Sequence, residues 1–582
     1  MNRKYIFLAT MTIFLLVTGW VLGQSAVGQA IAQAGPRAAL SAVLGTGFTY
    51  QGQLQDNGVD ANGSYDFEFS LYDDTSSGSQ VGSTIAQTLT VTEGLFTTNL
   101  DFGAAAFNGE ARFLEIAVQL NGGGGFTTLT PRQPITAVPY ATFASKVQPV
   151  DNIIVVAKSG GDFTTIGAAL AAITDASATN PYLIRIGPGI YEEIVDLKSH
   201  VDIEGSGSGV TIIRGDGGTF FDGNNATIRA NGISSAELRL LTVESIALSN
   251  SHSTAIWAYD LGAAVSFTNI TASGSAGSNT NHGISIFGAS SSPKLDNVQV
   301  SASGGQQSNA IDIASQASPR LTNIIATASG ATIRNYAIYV SSASPTMNNI
   351  TANASDGSDR SAGVHNRTAS TVMTNVHATA TGATNNQAVY NYESSPVMNN
   401  VTAFASGTGN NWGILNEENS TPTMNNVTAT VSGGVNGTTN IGIENLSSSP
   451  MMNQVTATAT GSSGTGNRGV YNENSSPSMN NMTVSATGGS VNYGVYNFDS
   501  SSPEMDNILI TMTGSRGIFN DRNSDPTIQD SAIRVPGTSI QNVNGSSMKV
   551  AYTMIEGSVS GGAFTCLGAY RTNFTARNSI CN

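Results

Sequence analysis

The chain has 582 residues, of which 11% are charged, 40% hydrophobic and 7% aromatic, with 64 glycines and only two cysteines. Its formal charge of −15 and the absence of any Lys/Arg cluster exclude the basic patch of a nucleic-acid binder. The cysteine count excludes a disulfide-dense scaffold, and the richness in Val, Ile and Thr excludes wholesale disorder. Arg3 and Lys4 open the chain, an apolar run follows from Tyr5 to Leu22, and Ala32-Gln33-Ala34 supplies a small-x-small site. This pattern predicts a secretory signal peptide over 1–34, with an uncleaved anchor as the alternative. No later apolar run approaches the ~20 residues needed to span a bilayer, so the mature chain is expected outside the cytoplasm, secreted or at the cell surface, with no membrane span.

Residues 46–145 predict a small antiparallel β-sandwich. In YDFEFSLYD (65–73), Tyr65, Phe67, Phe69 and Leu71 share one face, and ARFLEIAVQL (111–120) repeats the alternation beyond a Gly-rich turn. FTYQGQL (48–54), GLFTTNLDFG (94–103) and PRQPITAVPYA (131–141) resemble a module found near the N-terminus of many exported bacterial proteins.

Residues 150–215 read as a strand, a Gly-Gly turn, a short helix capped near Thr164 or Thr165, and short strands broken by glycine. DFTTI (162–166), GPGIYEE (187–193) and IEGSGSGVTII (203–213) resemble the entry coils of pectin-lyase-like right-handed parallel β-helices, those of pectin methylesterases in particular. The resemblance spans about 65 residues, implies the fold, and carries no catalytic group.

From 216 to 534 the chain is read as β-helix repeats. Pro293, Pro319, Pro345, Pro396, Pro422, Pro450, Pro477, Pro503 and Pro526 recur about every 26 residues, with Thr371 in the one vacant slot. Such a period of strands and turns predicts a β-solenoid of roughly 13–14 rungs, about 65 Å long at ~4.8 Å per rung. Two residues after the proline slot, Leu295, Leu321, Met347, Met373, Met398, Met424, Met452, Met479, Met505 and Ile528 form a column of core fillers. Two residues further, an Asn column from Asn297 to Asn507 marks a bend, because Asn tolerates left-handed backbone angles and its amide can bond the coils on either side, as in the asparagine ladders of pectate-lyase-like helices. Residues 535–582 are expected to form a C-terminal cap closed by a Cys566–Cys581 disulfide.

A second segment of each coil, G-[IV]-x-N, points its Ile or Val inward. The next residue should point outward, giving a stripe of Trp257, Tyr339, His365, Tyr390, Tyr471, Tyr496 and Phe519. A second Asn column (Asn366 to Asn520) and an acidic fringe (Glu393, Glu417, Glu418, Glu473, Asp499 and Asp521) lie beside it. Exposed aromatics at one-rung spacing suit a flat sugar chain, with Asn amides on its hydroxyls; cross-strand stacking that only stabilises the rod is the alternative. The fringe leaves Ca²⁺ open as a cofactor, although no metal-loop spacing is present.

The active-site motif strings of pectin methylesterases are absent. Asp260, His282, Asp296 and Asp312 are the weak catalytic candidates; His282 lies in NHGISIFG, which resembles a polygalacturonase strand but lacks that family's paired aspartates and R-I-K. The expected function is therefore binding or adhesion, to a polysaccharide or cell-surface glycan, without catalysis. A carbohydrate-active enzyme (esterase, lyase or hydrolase) with a non-standard site and a structural spacer are the alternatives. Oligomeric state, ligand and anchoring are left open.

Overall fold

The structure, a computed structural model, describes residues 5–7, 47–135 (except 57, 104, 105 and 107–110), 152–215, 226–246 and 252–582 (except 436 and 462–465). The leader expected over 1–34 lies outside the described residues except for Tyr5–Phe7, which pairs antiparallel with Phe48–Asp56. The chain forms two units, 1–149 and 150–582.

In the first unit Gly63–Tyr72 pairs antiparallel with both Gln80–Val91 and Arg112–Leu120, and Thr127–Ile135 extends that sheet. Phe48–Asp56 pairs with Leu95–Leu100 in a second sheet. The alternating face expected from the sequence is the buried one: Phe67, Phe69 and Leu71 pack with Leu54, Phe96, Leu100 and Leu114.

The second unit is a parallel β-solenoid. One row of fifteen strands among the described residues runs by parallel pairing from Val195–Asp196 to Ser558–Leu567, slightly longer than the 13–14 rungs expected. Near its start Ile166–Ala172 forms a helix whose Ile166, Ala169 and Leu170 join the solenoid core. The Thr165 side chain accepts from Ala168 N at 3.3 Å, and the Glu193 carboxylate, 27 residues on, accepts from Ile166 N and Gly167 N at 2.8 Å each. Thr165→Ala is therefore expected to cost about 1 kcal/mol, read as a lower urea midpoint for the solenoid transition, because the Glu193 contacts remain.

Each repeat contributes a long strand such as Thr346–Ser355 or Val397–Gly407 and a short one such as Asn385–Tyr392. The long strands bend at the predicted column: Asn297, Asn323, Asn349, Asn375, Asn400, Asn426, Asn481 and Asn507 all have φ between 52° and 56°. This is the left-handed region that Asn enters at least cost. Their amides chain coil to coil, as in Asn426 Nδ2 to Asn400 Oδ1 at 2.8 Å. Beneath them the Met column is sealed, with Met347, Met373, Met398, Met424 and Met479 fully buried.

The second Asn column differs from expectation. Asn366, Asn391, Asn416, Asn445, Asn472, Asn497 and Asn520 are fully buried, and each donates to the next at 2.7–2.9 Å, the last to Asn542. They alternate with the outward residue, so they point inward and their amides serve the rod, not a ligand. A parallel buried ladder that the repeat pattern did not suggest runs Asn386, Asn411, Asn440, Asn467 and Asn492. A buried serine column completes the set: Ser420, Ser448, Ser475 and Ser501 each accept the backbone N–H of the serine one coil earlier at 2.9–3.1 Å. Every buried amide and hydroxyl in these columns is thus met by its own repeat, which is why a nearly uncharged sequence can line a solenoid with polar groups.

At the C-terminal end Cys566 and Cys581 are disulfide-bonded. The Arg577 guanidinium donates to the carbonyls of Cys581, Ile555 and Gly557 at 2.6–3.1 Å, tying the last segment to the final coil.

Candidate functional site

The short strands carry a corner. Gln387 pairs with Trp412 and Val389 with Ile414, and the residues between them belong to a small-residue column: Ala337, Gly363, Ala388, Gly413, Gly442, Gly469, Gly494 and Gly517. A Cβ on Gly413 or Gly442 would meet the next coil's carbonyl at 2.6 Å, so at these two positions little more than a hydrogen fits. On a straight strand, side chains three apart point to opposite faces. Here they touch: Tyr336 lies 5.4 Å from Tyr339, and Tyr493 lies 4.8 Å from Tyr496, ring centre to ring centre. The strand bends at the small residue, and the outward side chains on either side of it converge into a groove running along the coils.

The expectation of an exposed aromatic stripe is corrected by this bend. His365 and Tyr390 are 6% exposed and Tyr471 is 8% exposed, while Trp257, Tyr339, Tyr496 and Phe519 are half-buried. They form the groove floor. His365 stacks on Tyr390 at 4.5 Å and Tyr496 meets Phe519 at 5.0 Å. The facing column, residues such as Tyr336, Gln387, Trp412, Arg468, Tyr493 and Arg516, was missed by sequence reasoning; its signal is the residue immediately before the Gly or Ala of each repeat.

Arginines stand over this floor in an otherwise acidic protein. The guanidinium of Arg360 lies 5.1 Å from the Tyr390 ring, Arg468 lies 4.5 Å from Tyr471, and Arg516 lies 5.0 Å from Phe519. These are cation–π distances that also leave charge facing the groove.

Of the four catalytic candidates the structure brings two together. His282 Nε2 lies 3.5 Å from Asp312 Oδ2, and Asn309 Nδ2 reaches both, at 3.4 and 3.3 Å. Burial, reinforced by His252, lowers His282 to about 3, and burial raises Asp312 to about 7. Between those values neither group is charged, so they form a neutral polar pair and not an ion pair. Asp260 and Asp296 lie apart from it: Asp260 sits in a left-handed turn with φ 50°, and Asp296 accepts from Asn323 at 3.0 Å.

A second acidic centre lies further along the floor. Glu444 is 7% exposed, accepts a hydrogen bond from the Trp412 indole N–H, and is raised to about 7, by burial first and then by Glu417 and Glu473, against the opposing pull of Trp412 and Arg468. No three His, Cys, Asp or Glu side chains gather as a metal cage among the described residues.

Buried polar atoms without a hydrogen-bond partner concentrate in this groove. Ser285 Oγ, His365 Nδ1, Gln387 Oε1, Arg360 Nε and Arg468 Nε lie on its floor and rim, five of the nine such atoms among the described residues. The other four lie elsewhere, so this corner holds the larger share of the buried polar groups that the coils leave unsatisfied, each of them closed to solvent in this conformation.

Residues 49–132 match the model of a domain of unknown function (DUF8740), and residues 152–255 match the Pectinesterase family model. A pectinesterase from Daucus carota is 39% identical over 89 residues, and a pectinesterase/pectinesterase inhibitor from Ficus pumila var. awkeotsang is 44% identical over 88 residues; each match covers 14% of this chain. The matches span 27% and 16% of those relatives' own lengths. Similar solved structures include pectin methylesterase from carrot (17% identity, 45% of this chain and 83% of that chain, TM-score 0.30) and a mannuronan C-5 epimerase A-module from Azotobacter vinelandii (14% identity, 68% and 95%, TM-score 0.33).

Proposed function

We propose that the groove binds a polysaccharide of acidic sugar units, pectin-type uronans among them, lying along successive coils of an exported rod. The row of guanidinium groups over an aromatic column that repeats coil by coil carries this reading. Aromatic faces pack on the apolar faces of sugar rings. Arginines pair with uronate carboxylates as planar forks do. The pectinesterase-like entry coils agree with a polysaccharide partner. Affinity electrophoresis through gels containing polygalacturonate tests this. The Tyr339→Ala/Tyr493→Ala/Tyr496→Ala variant is expected to bind at least about tenfold more weakly, from roughly 0.5–1.5 kcal/mol per aromatic contact. Equal retardation of variant and wild type would overturn the proposal.

A further inference from the structure

Midway along the groove the side chains are arranged for more than holding a chain. Glu417, Leu446 and Glu473 occupy equivalent positions on three successive coils, and Glu444 lies two residues before the middle one. A rung of ~4.8 Å combined with two residues of strand rise sets the backbone of either rim glutamate about 8 Å from that of Glu444. The rim carboxylates are held by phenols: Tyr390 donates to Glu417 at 2.5 Å and Tyr471 to Glu473 at 2.7 Å. Gln387, one coil before Glu417 and two before Glu444, is 3% exposed and carries an Oε1 with no hydrogen-bond partner.

We propose that Glu444 is the general acid, and Glu417 or Glu473 the general base, of a centre that hydrolyses a glycosidic bond of the chain lying in the groove. The assignment rests on the polysaccharide reading above. Glu444 gives its proton to the glycosidic oxygen as the C1–O bond breaks, and that bond's electron pair goes to the leaving hydroxyl. A water attacks C1 and gives its proton to the rim carboxylate, and exchange with solvent restores both groups. The net reaction consumes one water per bond cleaved. A buried acid opposite a more exposed carboxylate is the division of labour this reaction needs, and the burial that raises Glu444 to about 7 keeps it protonated in mildly acidic solution.

The test measures reducing-end release and gel-affinity binding by the full chain on polygalacturonate and on methyl-esterified pectin. The wild type is expected to release reducing ends, with activity falling as pH rises past about 7. Glu444→Gln, an isostere of the protonated acid, should lose at least about 100-fold in rate while binding the same polymer within twofold. Glu417→Gln or Glu473→Gln should lose comparably, with azide restoring chain cleavage, read as shorter chains ending in glycosyl azide in place of a reducing end, in the one that supplies the base. Binding without cleavage by the wild type overturns the catalytic assignment and leaves the binding reading standing, whereas no binding overturns both. Undiminished activity in Glu444→Gln overturns it as well. If that variant fails to fold, full activity in both rim variants overturns the proposal and loss in either upholds it.

Discussion

Asn445→Ala is expected to destabilise the solenoid by about 4 kcal/mol, read as a lower denaturant midpoint of its unfolding transition. Asn416 donates to Asn445 Oδ1 at 2.8 Å, and Asn445 donates to Asn472 Oδ1 at 2.8 Å. All three side chains are fully buried, so no water replaces the missing amide. The substitution orphans one donor and one acceptor, each costing about 1–3 kcal/mol, and adds a cavity. Asn426→Ala is the matched comparison. It breaks an amide contact to Asn400 of the same 2.8 Å, but on an exposed column where water takes over. Its cost should be about 1 kcal/mol, most of it from holding Ala at φ 52°. Equal losses from the two substitutions would show that the buried ladder contributes no more than a surface one. Because each coil contacts only its neighbours, the Asn445 lesson transfers to every rung of that column.

The contrast between the two Asn columns also shows where the sequence speaks and where it falls silent. The period, the Met column and the bend at Asn297 and its successors are legible because each depends on one residue type repeating about every 26 positions, and a stacked rod turns sequence period into spatial column. The corner beside Ala388 and Gly413 is not legible in that way. A strand read with period two sends Tyr390 to the outside and leaves it there. The bend folds the Gln387 column against it, so an outward side chain becomes 6% exposed. Glu193 reaching back to the helix at Ile166 was hidden for a related reason: its contact depends on where the second coil stacks, and no local spacing encodes that. The same holds for the site. His282 and Asp312 were both visible as rare charged groups in a neutral rod, yet only the register that places Asn309 on His282 and Asp312 on Ser285 brings them to 3.5 Å. Glu444 occupies the slot of Leu415 and Tyr471 in the outward column, but its partners Trp412 and Arg468 belong to the column that the corner turns inward onto it.

Asp312→Asn and His365→Gln are expected to tilt the pH dependence of solenoid stability in opposite directions. Asp312 is 5% exposed and titrates near 7 in the folded chain, against an unfolded value near 4. Between those values the folded state keeps a proton that the unfolded state has lost, so this group's contribution to stability falls as pH rises from about 4 to about 7 and is level above. His365 is 6% exposed and titrates near 3, lowered by burial and then by Arg360, Arg367 and Arg334. The unfolded chain binds a proton there below about 6.5 that the folded chain refuses, so its contribution falls as pH drops from about 6.5 to about 3. His282, also near 3, acts in the same sense as His365, and Glu444, near 7, in the same sense as Asp312. In the wild type the two pairs largely offset one another between about pH 4 and 6.5. Asp312→Asn, a neutral isostere, removes one carboxylate term: relative to wild type it should gain on the order of 3–4 kcal/mol on going from pH 4 to pH 8. His365→Gln should gain a similar amount relative to wild type on going from pH 8 to pH 4. Slopes are compared, not absolute stabilities, because either change also alters packing on the groove floor. Urea unfolding of the three proteins at pH 4, 6 and 8 decides the matter, and three parallel profiles would mean that neither group is buried in the state each is assigned.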